Sequence, residues 1–215
     1  MQARSLNLVA LAALTLAAAT AHAAAPTAEL KVKGTLQAPT CTVAVADDGV
    51  YDFGSISPTR IKPGTAHTAL DPISKVWTVT CDADTYLTHA AIDNRASSVS
   101  TAGVTNFGMG KVNGTGNIGY YQAAISNPTV DGATTTIFWA ATGGAVPAGG
   151  ATGALAKTAG YVHGWSVGTA QKAGRAFGLT IAVTPYLGGT TTMNGAITDK
   201  VDLDGSLTLN YAFGL

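Results

Sequence analysis

The chain has 215 residues, twelve basic against twelve acidic, with 11% charged and 7% aromatic side chains. A balanced chain without a basic cluster offers no electrostatic footprint for nucleic acid. A single glutamate, Glu29, beside 26 glycines disfavours long helices, whose surfaces draw on Glu, Lys, Arg and Gln.

Residues 1–23 read as a secretory signal peptide. One positive charge (Arg4) precedes an apolar run from Leu8 to Ala19, and Ala21-His22-Ala23 supplies small residues at a cleavage site. Cleavage there leaves eleven basic against twelve acidic residues in about 190, the length of one domain or at most two small ones. No later run is long and apolar enough to cross a bilayer as a helix. In an exported chain Cys41 and Cys81 are expected to form one disulfide. Metal binding is disfavoured because neither belongs to a CxxC or has a histidine nearby.

Along the mature chain, Ala28, Leu30 and Val32 alternate with Glu29, Lys31 and Lys33, and Gly34 marks a bend. Tyr51 to Ile56 predicts a short strand, and Pro58 to Gly64 a loop. In Lys75–Cys81, Trp77, Val79 and Cys81 share one face of a strand, and Leu87 to Ile92 is the next. The segment 101–119 is punctuated by glycine, and Tyr120 to Ile125 resumes a strand. Asp131-Gly132 is a hairpin turn into Thr134–Trp139. Gly143 to Gly160 lacks periodicity and reads as a long surface loop, where, with 101–118, a receptor contact would be sought. Val162 to Val167, Phe177 to Pro185 and Val201 to Leu215 complete nine to eleven short strands at sandwich-like intervals. In the last of these, Leu207, Leu209, Tyr211, Phe213 and Leu215 occupy every second position. Such a strand either closes a sheet or leaves an edge that needs a partner.

No enzyme is expected. Gly114-Thr-Gly116-Asn-Ile-Gly119 matches G-x-G-x-x-G, but the following Tyr120-Tyr121 reads as strand where a dinucleotide site needs a helix. His67, His89 and His163 are far apart in sequence, and Ser166 near His163 is not a triad by itself. Asp47-Asp48 and Asp82/Asp84 look like turn residues, and Asp199, Asp202 and Asp204 lack EF-hand spacing. No cofactor or metal is expected.

The stretch Leu30-Lys-Val-Lys-Gly-Thr-Leu-Gln-Ala-Pro-Thr-Cys-Thr-Val43 resembles the start of a mature fimbrial subunit of the chaperone–usher type. Val32, Gly34, Leu36 and Cys41 match the family's apolar-x-G-x-apolar-x-x-x-x-C pattern, and Cys81 falls where its second cysteine does. Phe53-Gly54-Ser55-Ile56 resembles the step between the cysteines, and Gly205 with the final strand resembles the family's C-terminus. Gly214 stands where members usually carry an aromatic. The resemblance runs over 28–81 and 200–215 and is closer still to an uncharacterised branch of larger fimbrial-like exported bacterial proteins. It implies an immunoglobulin-like β-sandwich, residues 34–215, that lacks its final strand. It further implies an N-terminal extension, 24–33, whose Ala28, Leu30 and Val32 complete another copy or a related subunit. Leu207 to Leu215 would edge the groove and pair beforehand with a periplasmic chaperone, with an outer-membrane usher as the second partner. The chain would pass through the periplasm to the cell surface. Two other readings stand beside this one. The first is a self-contained exported sandwich that binds a partner without polymerising, and the second a small outer-membrane barrel, which the low aromatic content disfavours.

Overall fold

A computed structural model describes residues 25–214; the signal-peptide expectation (1–23), Ala24 and Leu215 lie outside the described residues. The chain divides into two compact units between Gln37 and Ala38. In the first, residues 25–37 carry no helix or strand, and Leu30 and Val32 are 86% and 89% exposed.

The second unit is an all-β sandwich with one disulfide. Its strands are β1 (Cys41–Val45), β2 (Thr68–Ala69), β3 (Ile73–Thr85), β4 (Leu87–Asp93), β5 (Phe107–Gly108), β6 (Lys111–Val112), β7 (Gly116–Asn117) and β8 (Gly119–Val130). They continue as β9 (Ala133–Thr134), β10 (Thr136–Ala141), β11 (Thr152–Ala154), β12 (Tyr161–Val167), β13 (Ala170–Gln171), β14 (Gly174–Leu187) and β15 (Leu207–Phe213). One sheet runs β1-β3-β14-β8-β11, the other β10-β12-β4-β15, and β6 pairs only with β7. The main pairings are antiparallel.

Alternation sets the core. Val79, Phe177, Ile181 and Ile125 point inward from the first sheet, and Leu87, Ile137 and Trp165 from the second. The Trp165 ring lies 5.2 Å from that of Phe177, and its indole N–H donates to the Gly178 carbonyl at 3.0 Å, tying the layers together. The Asp131-Gly132 turn forms as expected, with φ of 51° and 79°. The chain after it does not stay in one sheet: β9 pairs with β8, and β10, two residues on, belongs to the other layer.

Three expectations need correcting. Tyr51 to Ile56 forms no strand: Tyr51 and Phe53 are half-buried and Asp52 and Gly54 exposed, but Gly54 takes φ +60° and the alternation slips there, leaving Ser55 exposed and Ile56 half-buried, and no strand lies beside the segment to make a ladder. The last strand begins at Leu207, not Val201, since 201–206 has no ladder partner either. The glycine-rich stretch 101–118 is not a surface loop, whereas 143–160 is largely exposed, as expected, and turns inward only at its end. Segment 101–118 holds β5, β6 and β7 and buries Phe107, Met109 and Val112. Segment 143–160 holds β11 and buries Leu155 and Ala156. Glycine there permits close backbone approach, which composition alone reads as flexibility. A Cβ on Gly149 would sit 2.7 Å from the Ile137 carbonyl oxygen, and one on Gly116 2.2 Å from that of Met193.

That approach has an architectural result. Gly150, beside β11, exchanges two backbone hydrogen bonds with Ile137 of β10, at 2.8 and 3.0 Å. The two sheets are thereby joined on one side, and the strands form a continuous path from β1 round to β15, with no ladder between those two ends among the described residues.

Candidate functional site

The site follows from that open side. Along β15 the phase of the ladder is fixed at its ends: Asn94 N–H donates to the Ser206 carbonyl at 3.0 Å, and Gly214 N–H to that of Tyr86 at 2.8 Å. In an antiparallel pair such residues alternate with ones whose backbone groups point away. The N–H and C=O groups of Leu207, Leu209, Tyr211 and Phe213 therefore face away from β4, and no other strand among the described residues pairs there. Their side chains face the interior: Leu207, Leu209 and Tyr211 are half-buried against the core, while Phe213 is 47% exposed. Thr208, Asn210 and Ala212 face solvent.

Across from β15 runs the unladdered segment 50–57. A cavity of about 380 Å³ lies between these walls, and a second of about 500 Å³ continues it between 50–57 and 197–203; they share Val50, Tyr51, Phe53 and Leu203, so they form one groove. The first is floored by Trp77, Tyr121 and Ile181 and edged by Leu207 and Leu209. The second is lined by Ile56, Ile61, Ile118, Leu187 and Met193. Val43 of β1 shares the inward face of its partner Val79, yet it is 48% exposed while Val79 is buried.

The wall opposite β15 is set by a tight turn. Asp47, Asp48 and Gly49 all take left-handed φ, 51°, 50° and 79°, a conformation unfavourable for the two aspartates. Lys75 holds it, donating to the Ala46 carbonyl at 3.3 Å and pairing with the Asp47 carboxylate, its ammonium 5.7 Å from the Tyr51 ring centre. The Tyr51 hydroxyl donates to the Ile181 carbonyl at 3.1 Å and accepts from the Trp77 indole N–H at 2.9 Å. Burial raises the Tyr51 pKa, with the Trp77 hydrogen bond a smaller opposing effect.

Cys41 and Cys81 are disulfide-bonded, with Cα atoms 4.0 Å apart. The Asp82 N–H to Thr40 carbonyl bond makes 40/82 a hydrogen-bonded pair, so Cys41 and Cys81 occupy the closer non-hydrogen-bonded position beside it. The bridge clamps the edge strand β1 to β3.

Other sequence candidates go elsewhere. The Gly114–Gly119 motif lies on the β6–β7 hairpin leading into strand β8, which rules out a dinucleotide fingerprint. Asp82 and Asp84 are strand residues of β3, not turn residues; Asp82 caps Thr40 N–H, and Asp84 pairs with Arg175 at 2.7 Å. Asp204 binds Arg95 through two contacts, 2.7 and 2.9 Å, and Asp202 pairs with Lys200. Among the described residues no three His, Cys, Asp or Glu side chains are placed to hold a metal ion.

Sequence reasoning missed two clusters. His89 and His163, 74 positions apart, are ladder partners on β4 and β12 with rings 5.4 Å apart. Both are buried; His163 Nε2 accepts from Ala156 N–H, and neither His89 nitrogen has a partner. Burial depresses both, His89 to about 3, with His163 adding repulsion, and His163 to about 4. The second cluster is an ion pair at 2.6 Å between Lys157 and the buried carboxylate of Asp93, which also accepts from Gly108 and Arg95 N–H. Spacing along the chain carries no signal for either, since each is made by segments that lie far apart in the chain.

Residues 30–124 match the model of a family described as a protein of unknown function, DUF1120. No curated protein matches the chain. The matched stretch runs from the exposed Leu30 through the disulfide and the groove wall at 50–57 into β8.

Proposed function

We propose that this chain is a structural subunit of a fimbria-like surface assembly, exported through the periplasm, whose groove takes up a β-strand from another copy or a related subunit. The observation that supports this most is the open seam itself. An edge strand with four residues turning their backbone groups outward borders an apolar groove whose opposite wall has no ladder of its own. A strand laid there gains ladder hydrogen bonds and buries alternate side chains. The segment Ala28, Leu30, Val32 has the required period and stands exposed. Full burial of each Leu or Val is worth about 1.5–3 kcal/mol. Donor and groove on one chain type give a head-to-tail contact that propagates into a fibre. Before assembly the same edge suits a periplasmic chaperone, with an outer-membrane usher as the site of exchange, and adhesion follows from the assembled fibre. The role is structural, not catalytic.

The test uses the mature chain and its Leu30→Asp/Val32→Asp variant, whose substitutions lie outside the sandwich. The mature chain is expected to oligomerise and the variant to stay a folded monomer. A synthetic 24–37 peptide added to the variant should slow amide exchange at Leu207, Leu209 and Tyr211. If those amides are already protected in the monomer and the peptide changes nothing, the seam is closed, and a self-contained binding module replaces the reading.

A further inference from the structure

The outer face of the first sheet carries a second pattern that the groove does not use. The registers align Thr42, Thr80 and Ala176 in one row, and Ala44, Thr78, Gly178 and Thr129 in the next. Val76, Thr180, Ser126 and Thr152 form the third row, and Ser74, Ala182, Ala124 and Ala154 the fourth. All these positions are exposed or half-exposed, and none is charged. Val76, in the third row, is 63% exposed. An exposed sheet face normally carries lysine or glutamate, which keep other sheets from stacking on it.

We infer that this face is a lateral contact surface whose occupant is the same face of a second copy of the chain. Three arguments select that occupant. In a two-fold contact identical patches meet, so any charge on the patch would face its own kind; these four rows have none to repel, the carboxylates of Asp82 and Asp84 standing beyond the first row, Asp82 on Thr40 N–H and Asp84 on Arg175. Its small side chains over five strands make a broad, low-relief surface on which a second sheet can rest at about 10 Å. The area is also of the right order. Five strands about 4.8 Å apart and eight residues along β14 at about 3.3 Å each span roughly 500 Å² per copy. That gives about 1,000 Å² in total, the lower limit of a specific interface. One such contact is weak and reversible. A row of subunits presenting the same face would make many at once, and the contacts would multiply by avidity. The contact does not need the groove to be filled, so it goes beyond the strand-exchange reading.

The experiment places Val76→Lys, alone and with Thr180→Lys, in the full mature chain carrying Leu30→Asp/Val32→Asp, which removes strand donation. Sedimentation equilibrium up to millimolar protein is expected to show a monomer–dimer equilibrium in the parent. Val76→Lys should raise the dissociation constant at least about tenfold, with the thermal midpoint unchanged. A parent that stays monomeric throughout, or a dimer indifferent to both lysines, overturns the lateral contact. If in addition the unmodified chain still polymerises, strand exchange survives that failure. Conversely, a Val76-sensitive dimer in a chain that never polymerises would sink strand exchange and keep the lateral contact. Retention on an insoluble polysaccharide that Val76→Lys abolishes, without self-association, would assign the face to carbohydrate and overturn the inference.

Discussion

Acid should weaken this fold well before its carboxylates begin to protonate. His89 and His163 are held neutral in the folded chain, with pKa values near 3 and 4, whereas in the unfolded chain both titrate near 6.5. Between these limits the unfolded state binds protons that the folded state cannot, so stability falls as pH falls. Each proton contributes about 1.4 kcal/mol per pH unit, and two give a limiting slope of about 2.7. Integrated from pH 7 to 4.5, the loss is about 5 kcal/mol, as large as the whole stability of many domains. Asp131 and Asp204, whose carboxyls sit below the usual range because of backbone N–H and Arg95 hydrogen bonds respectively, add instability only below about pH 4. The window from 6.5 to 4.5 therefore isolates the histidines. Urea unfolding at fixed ionic strength across it, repeated for His89→Met, measures both slopes. The variant should lose about half the slope, about 1.4 kcal/mol per pH unit. A wild-type stability that is flat in that window, or a slope that His89→Met leaves intact, refutes the buried neutral pair.

Asp93→Asn should cost about 3–5 kcal/mol, because it leaves Lys157 facing a neutral group in a largely buried site; Asp93→Asn with Lys157→Met should recover part of that in chemical denaturation. Replacing Cys41 and Cys81 together by serine opens a 40-residue loop and is expected to cost about 4 kcal/mol, read as a lowered urea midpoint that reducing agent no longer affects. Gly49→Ala meets both a φ of +79° and the Trp77 ring 3.0 Å from its new Cβ. It should lose about 1–2 kcal/mol and alter Trp77 fluorescence, whereas Gly132→Ala, with open space around it, should alter stability through φ alone.

Much of the layout is written locally. Strict alternation in Lys75–Cys81 and Phe177–Pro185 is enough to place both in the core-facing sheet, and Asp131-Gly132 marks its own turn. What fails to read out has a common cause. Tyr51 to Gly54 starts with the side-chain alternation of a strand, but Gly54 turns left-handed and no neighbouring strand pairs with the segment, and sequence says nothing of that neighbour's absence. The packed glycines at 108, 116 and 149 look like loop residues, since what makes them indispensable is a carbonyl from elsewhere in the chain. The seam was half legible: the alternation at 207–213 named one wall, while Trp77, Leu203 and the 50–57 wall emerge only once the strands are arranged. The histidine pair lay wholly beyond reach, its members meeting across strands that sequence cannot pair.

The order of strands in the sheets also governs how the protein comes to be folded. β3 is flanked by β1 and by β14, and Val79 must find Phe177, 98 residues later. β4 is flanked by β12 and by β15, the last strand of all. Most ladders therefore close large loops, whose entropy is lost before any contact repays it, and folds of this kind reach their native state in milliseconds to seconds. Throughout that interval β3 and β4, the two strands leading from the disulfide, stand with open edges in a chain with few charges to keep like strands apart. The long delay between the first strands and their partners makes unassisted folding of this chain a race against mispairing, and the race is lost faster as concentration rises.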